Sequence, residues 1–521
     1  MVSRRAMLLR TGAGLAAVAG GPRLALAAAG RPSGAAAGAH ALNRLGYGPR
    51  PGDLSRIARD PQGWVEEQLQ PAGAALPAVL NARLQEDRFL GVHPAVLMQG
   101  YIAIARRGRQ ISRDRAAGLP TPGYELRPDM KAAPESTELG RYLVALQVAA
   151  FESRIYRALE SPRQLEEAMV DFWFNHFNVD QGKGHARVLI GHYEQYAIRP
   201  YALGRFADLL HATARHPAML SYLDNAVSVA PGRGPRGLNE NYARELMELH
   251  TLGVDGGYTQ QDVTELARIL TGWTFAPVRP DEAPPSEPVP LPGDPRRMPG
   301  FLFNARAHDA GGKTWLGLHV PAGGESEGDV ALDTLARHPS TARHLAFKLA
   351  QYFVSDAPPP ALVDRAARVF LAQDGQVLPV LRTLFTSEEF WDERQRGSKF
   401  KTPLQFALSS LRALGHTPAN VRPLQFELVS EGMRLFGCPT PDGYKNTEAA
   451  WMSPHVLGRR VEFVTRVANN WLGPAPVEPE RLLADLGPLV TPRTREAALQ
   501  HQDQPRLAVA LVLAGPGMMR R

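Results

Sequence analysis

Apolar side chains recur three and four positions apart along most of this chain, in helix-length segments that stop at glycine or proline. The densest signal lies between Asn239 and Thr274. From about Asn239 to Leu252, Ala243, Leu246, Met247 and Leu249 share one broad face at roughly 100° per residue, with His250 inside the same arc. Asn241, Glu245 and Glu248 line the opposite side. The loop from Gly253 to Tyr258 ends this helix, because glycine is free to take positive φ there. Thr259, with Asp262 three residues on, reads as a capping box, and a second helix runs to about Gly272.

The same period governs most of the remaining chain. Leu139 to Arg157 and Pro162 to Asn178 read as helices, the second with Leu165, Met169, Phe172, Trp173 and His176 on its inner face. Helices continue through 186–215, and Met219 to Ala226 brings Asp224 and Asn225 to a helix end. From Asp329 to about Leu414 the pattern is helical, with Pro403 at a first helical position. Residues 456–521 are helical around a Pro-rich break at 474–480. The stretch 301–320 is short, strand-like and interrupted by Gly-Gly, which predicts a small hairpin. Residues 105–136 and 276–300 are rich in Pro and Gly and predict loops. The pattern as a whole predicts an all-α fold: a multi-helix bundle with one small β-hairpin and long Pro/Gly-rich loops.

Composition adds a location and removes some functions. With 44% apolar and 21% charged residues in 521, the chain is globular and long enough for a large core. We expect a single large helical domain over 39–521, with the Pro-rich loop 276–300 as its one candidate sub-boundary. The formal net charge of +7 comes without a concentrated basic tract or nucleic-acid motif, so nucleic acid is not an expected partner. One cysteine, Cys438, rules out an intramolecular disulfide and a cysteine-based metal cluster. At the start, Ser3-Arg4-Arg5-Ala6-Met7-Leu8 precedes an apolar stretch from Thr11 to Leu26 that contains Ala25-Leu26-Ala27. This predicts a twin-arginine signal peptide over 1–28 and a flexible linker over 29–38, with delivery to the periplasm or beyond. A Sec signal or a retained anchor is the alternative. No later run approaches the roughly 18 apolar residues of a membrane span.

For chemistry, the inward imidazoles are the candidates. His176, His250 and Glu245 form the expected acid–base set. His308 and Asp309, on a loop before a Gly-Gly turn, together with Asn225, are the expected ligands of a divalent metal. Each histidine has a structural alternative, a core imidazole satisfied by a carbonyl. No G-x-S-x-G, H-E-x-x-H, P-loop or dinucleotide fingerprint occurs. Two functions therefore stay open: an envelope enzyme with a His/carboxylate site, and a non-catalytic scaffold that binds an envelope polymer or a co-exported protein.

Several ordered motifs carry a resemblance. They are HALNRLGYGPRPGDL near the start, FWFNHFNV at 172–179, HPAMLSYLDNAVS at 216–228 and ENYARELMELHTLGVDGGYTQQDVTELARILTGW in the centre. HPSTARHLAFKLAQYFVSD at 338–356, KFKTPLQF at 399–406 and TPDGYKNTEAAWMSP at 440–454 complete the set. Together they resemble a large bacterial family known only as domain of unknown function 1800. One position departs: Phe174 stands where that family's motif carries histidine. The resemblance implies an exported, mostly helical protein and carries no catalytic residues with it.

Overall fold

Proline and short polar side chains start the helices of this chain. In the computed structural model, which describes residues 32–70, 74–89, 91–117, 138–233, 237–277, 293–474 and 478–521, proline is the first residue of the helices at Pro61, Pro217, Pro339, Pro360, Pro403, Pro423, Pro454 and Pro492. Its fixed φ suits the first turn, where an N–H has no intrahelical partner anyway. Thr259 and Thr402 each close a capping box, with Asp262 and Gln405 respectively. The expected signal peptide at 1–28 lies outside the described residues. Of the expected linker, 34–38 belong to the helix Gly34–Leu45, an alanine-rich segment whose Ala37 and Ala39 are buried.

The described residues form 25 α-helices and two two-stranded sheets, so the fold is mainly all-α. Residues 105–116, expected as loop, continue the helix Pro94–Ala116, and 118–137 lie outside the described residues. β1 (Trp273–Phe275) pairs antiparallel with β2 (Phe301–Phe303), placing Trp273 opposite Phe303. β3 (Lys313–Trp315) and β4 (Leu318–Val320) form the hairpin, turned by Leu316 and Gly317, both at positive φ. The expected helix ending at Gly272 stops earlier, as Gln260–Ile269, and gives way to β1. One continuous buried cluster draws residues from Ala39 to Met519, on both sides of 278–292. Among the described residues no helix is long and apolar enough to cross a membrane.

The two helices that carry the candidate imidazoles are held in different ways. The central helix is only Asn241–Glu248. His250 therefore sits in the turn beyond it, where the Gly253 N–H reaches back to the Met247 carbonyl at 3.2 Å and Gly253 takes φ +85°. The aromatic helix Gln164–His176 is backed by a buried ion network. In it Arg154 binds Asp171 and Glu194, and Arg199 binds Glu194 and Glu167. Each of these charges has an opposite partner within 3.1 Å, which burial requires.

Candidate functional site

His176 and His250 meet. Their ring centroids lie 6.1 Å apart, and His344, on the helix Pro339–Phe353, lies 6.2 Å from His176 on another side. The link is not ring to ring: His176 Nε2 donates to the His250 main-chain carbonyl at 3.1 Å. That bond places the neutral ring's lone pair on Nδ1, a buried atom with no partner among the described residues. His344 Nε2 donates similarly to the Leu249 carbonyl at 3.3 Å. Burial, and next the nearby Lys348 charge, push His250 down to about 3 and His344 to about 4, and hold His176 far below the usual range. All three rings are neutral at physiological pH. They can accept or donate hydrogen bonds, but they are poorly matched to proton transfer near pH 7.

His176 and His344 stand in the wall of a cleft of about 250 Å³. Its far wall is the loop 433–446, which the aromatic helix's exit holds in place. Asn175 exchanges two bonds with the Tyr444 main chain, at 2.9 and 2.7 Å. Asn178 donates to the carbonyls of Cys438 and Thr440. Gly443, at φ +71°, passes so close that a Cβ there would sit 2.3 Å from the Asn175 carbonyl oxygen. Phe436, in the same wall, holds φ +60°, a conformation that costs an aromatic residue strain. Phe172, Phe174, Tyr352 and Tyr444 add aromatic surface. Thr402 and Gln405 close the floor from the start of the helix Pro403–Ala413. Four separated stretches, 171–178, 344–352, 402–405 and 433–446, thus line one cavity together with Leu249.

The family described as protein of unknown function (DUF1800) matches residues 40–520, nearly the whole chain. The chain belongs to that family. Neither the curated proteins nor the solved structures contain a match to it.

The cleft of this DUF1800 protein holds one group that no sequence motif singles out. Lys348 projects from the middle of the helix Pro339–Phe353 and is partly buried, with no hydrogen-bond acceptor or carboxylate in contact among the described residues. Burial first, then the Lys445 ammonium, lower its amine to about 8, with Asp442 opposing. Lys445 itself pairs with Asp442 at 2.6 Å. Other depressions are better satisfied. One of about 400 Å³ is lined by Arg50, Arg163 and Arg412, which donate to the carbonyls of Leu159, Ala74 and Gly48. Another, of about 500 Å³, has Arg83 over Tyr156 and Arg422 paired with Glu152.

The other expected site residues lie around two different places. Glu245 is half-buried. Its carboxyl is raised by burial first, then by the charges of Glu248 and Asp442, and it is not among the residues that line the cleft. Asn225, His308 and Asp309 do come together, about the end of the helix Gln260–Ile269. Asn225 Nδ2 donates to the carbonyls of Leu270 and Trp273. His308 places Nδ1 2.9 Å from the Thr271 carbonyl and Nε2 3.2 Å from Glu327. Asp309 pairs with Arg268 at 2.8 Å. Glu327 also receives the buried Lys313 ammonium at 2.5 Å. These groups are spent on one another and on the main chain, save the buried Asn225 Oδ1, which has no partner among the described residues. Among the described residues no three His, Cys, Asp or Glu side chains converge as metal ligands.

Proposed function

We propose that this protein is exported and that it works by binding a small molecule in the cleft between the aromatic helix, the helix Pro339–Phe353 and the loop 433–446. One observation carries the reading: stretches far apart in sequence converge on a single cavity and leave a lysine amine and an imidazole nitrogen in it without partners among the described residues. The buried ammonium groups elsewhere have partners: Lys313 has Glu327, Lys399 has Asp356, and Lys401 has Ser409 Oγ and the Met518 carbonyl. Here the Lys348 amine has none among the described residues, His176 Nδ1 lacks one as the buried His40 Nδ1 and His192 Nε2 also do, and a strained Phe436 shapes the wall. If the bound molecule reacts, Lys348 is the proton-transfer group, because its amine exchanges protons near pH 8 while the imidazoles do not. A scaffold for an envelope polymer gains no comparable support, since an extended chain needs a longer groove than a 250 Å³ cleft.

The test is ligand-dependent thermal stabilisation of the mature protein against a library of small acids, amines, amides and sugars. Lys445 at the rim is 71% exposed, so Lys445→Trp narrows the mouth at little cost in stability. Hits that stabilise wild type and lose their effect in Lys445→Trp support the cleft. A library without hits, or hits indifferent to that substitution, overturns it. Export rests on Arg4 and Arg5 ahead of the apolar stretch. Replacing both with lysine should retain the protein in the cytoplasm, and normal levels outside it would defeat the twin-arginine route.

A further inference from the structure

The chemistry of the cleft's two unsatisfied groups specifies what it takes. Lys348 offers an ammonium with no carboxylate in contact among the described residues. The acidic groups that line the cleft are committed: Asp442 to Lys445 at 2.6 Å, and Asp171 to Arg154 at 2.8 Å. A cation so placed is stabilised by an anion brought in from outside. A single free ammonium matches a monoanion better than a phosphate dianion, because the other ammonium of the cleft, Lys445, is already paired with Asp442. His176, with its Nε2–H already given to the His250 carbonyl, has only the acceptor Nδ1 left, and that atom lacks a donor. The rest of the wall is aromatic, from Phe172, Phe174, Phe436 and Tyr444. A volume of about 250 Å³ corresponds to roughly eight waters at ~30 Å³ each, the space of a small organic acid.

We propose that the cleft binds a small carboxylic acid, its carboxylate on Lys348, a hydroxyl or amino donor on His176 Nδ1, and an apolar body against the aromatic wall. This rests on the cleft being the functional centre. The carboxylate has two sources, a free α-hydroxy or α-amino acid and the C-terminus of a peptide.

The experiment is isothermal titration of the mature protein with phenyllactate, phenylalanine, 3-phenylpropionate and N-acetyl-phenylalanine. The primary amides of these compounds and a tripeptide ending in phenylalanine complete the set. The acids should bind and their amides bind roughly 10- to 100-fold more weakly, the value of one charge-assisted bond. Lys348→Met should erase that preference, and Lys348→Arg should restore part of it. His176→Leu should level phenyllactate with 3-phenylpropionate while keeping acids above amides. Tighter binding of the tripeptide than of the single acids identifies a peptide C-terminus as the source. Amides that bind wild type as well as the acids do, or acids that bind Lys348→Met undiminished, overturn the proposal. If such neutral binding is abolished by Lys445→Trp, the cleft reading stands without the anchor. If none of the acids binds at millimolar concentration while other library hits do, the carboxylate assignment fails alone. If nothing binds at all, both fail.

Discussion

Replacing Lys348 with methionine should stabilise this protein at neutral pH. Methionine matches the lysine stem in length and helix propensity, so the main change is removal of the ammonium. In the fold that amine is lowered from 10.5 to about 8. At 1.36 kcal/mol per pH unit the gap corresponds to about 3 kcal/mol against the charged form. Because the side chain is only partly buried, solvent screening reduces this to about 1–2 kcal/mol. The folded value lies below the unfolded one, so between about 8 and 10.5 the unfolded chain binds more protons and wild-type stability rises with pH. The penalty is complete below about 8 and absent above 10.5. The groups facing Lys348 are Lys445 and Asp442, with His176, His250 and His344, whose rings are neutral across this window. Urea unfolding of both proteins, followed by tryptophan fluorescence at a series of pH values, reads the difference directly. Lys348→Met should lead by about 1–2 kcal/mol at pH 7, and the lead should close as pH approaches 10.5. A variant that is less stable at pH 7, or a difference that does not move with pH, would show that the amine is already neutralised within the fold.

Three other substitutions probe the architecture around the site. Gly443→Ala forces a Cβ against the Asn175 carbonyl at a left-handed backbone position. It should cost at least about 2 kcal/mol and expose the loop 433–446 to limited proteolysis, whereas unchanged melting and cleavage would deny that the loop is pinned there. Glu327→Ala strands the buried Lys313 and should cost about 3–5 kcal/mol, read as a lowered denaturation midpoint. Burial works to raise the Glu327 carboxyl, but hydrogen bonds from the Gly323 N–H, Lys313 and His308 outweigh it and hold the group below its usual range. Its contribution is therefore present above about 4.5 and lost as pH falls through the lower folded value, so the variant's deficit should shrink in acid. His250→Leu keeps the main-chain carbonyl that His176 uses and removes a buried, unpartnered Nε2. Stability should stay within about 1 kcal/mol of wild type or rise, and a loss above about 3 kcal/mol would mean that the imidazole holds a partner such as a metal.

What the sequence determined by itself is the local half of this molecule. Periodicity assigned the all-α class and put His176 and His250 on inward faces. Short-range chemistry named the Thr259–Asp262 capping box and the proline at the start of Pro403–Ala413 before any tertiary contact was known. These signals are legible because each acts within a turn or two of its own residue. The limits of the same logic show in β1, where the helical pattern runs on to Gly272 but pairing with β2 draws Trp273–Phe275 into a strand. Only the tertiary structure decided which inward face meets which. Asn175 and Tyr444 are 269 residues apart, and no period within either segment encodes their two hydrogen bonds. Lys348 reads in sequence as an ordinary lysine between apolar neighbours. Its significance comes from what the fold leaves out around it, a counter-charge, and that depends on four segments at once. Asn225, His308 and Asp309 make the complementary case: residue types apt for a metal, brought together by the fold, but turned to the main chain, Arg268 and Glu327. Side-chain chemistry is carried by the residue, whereas the lone pairs and charges left free are set by the neighbours that folding supplies.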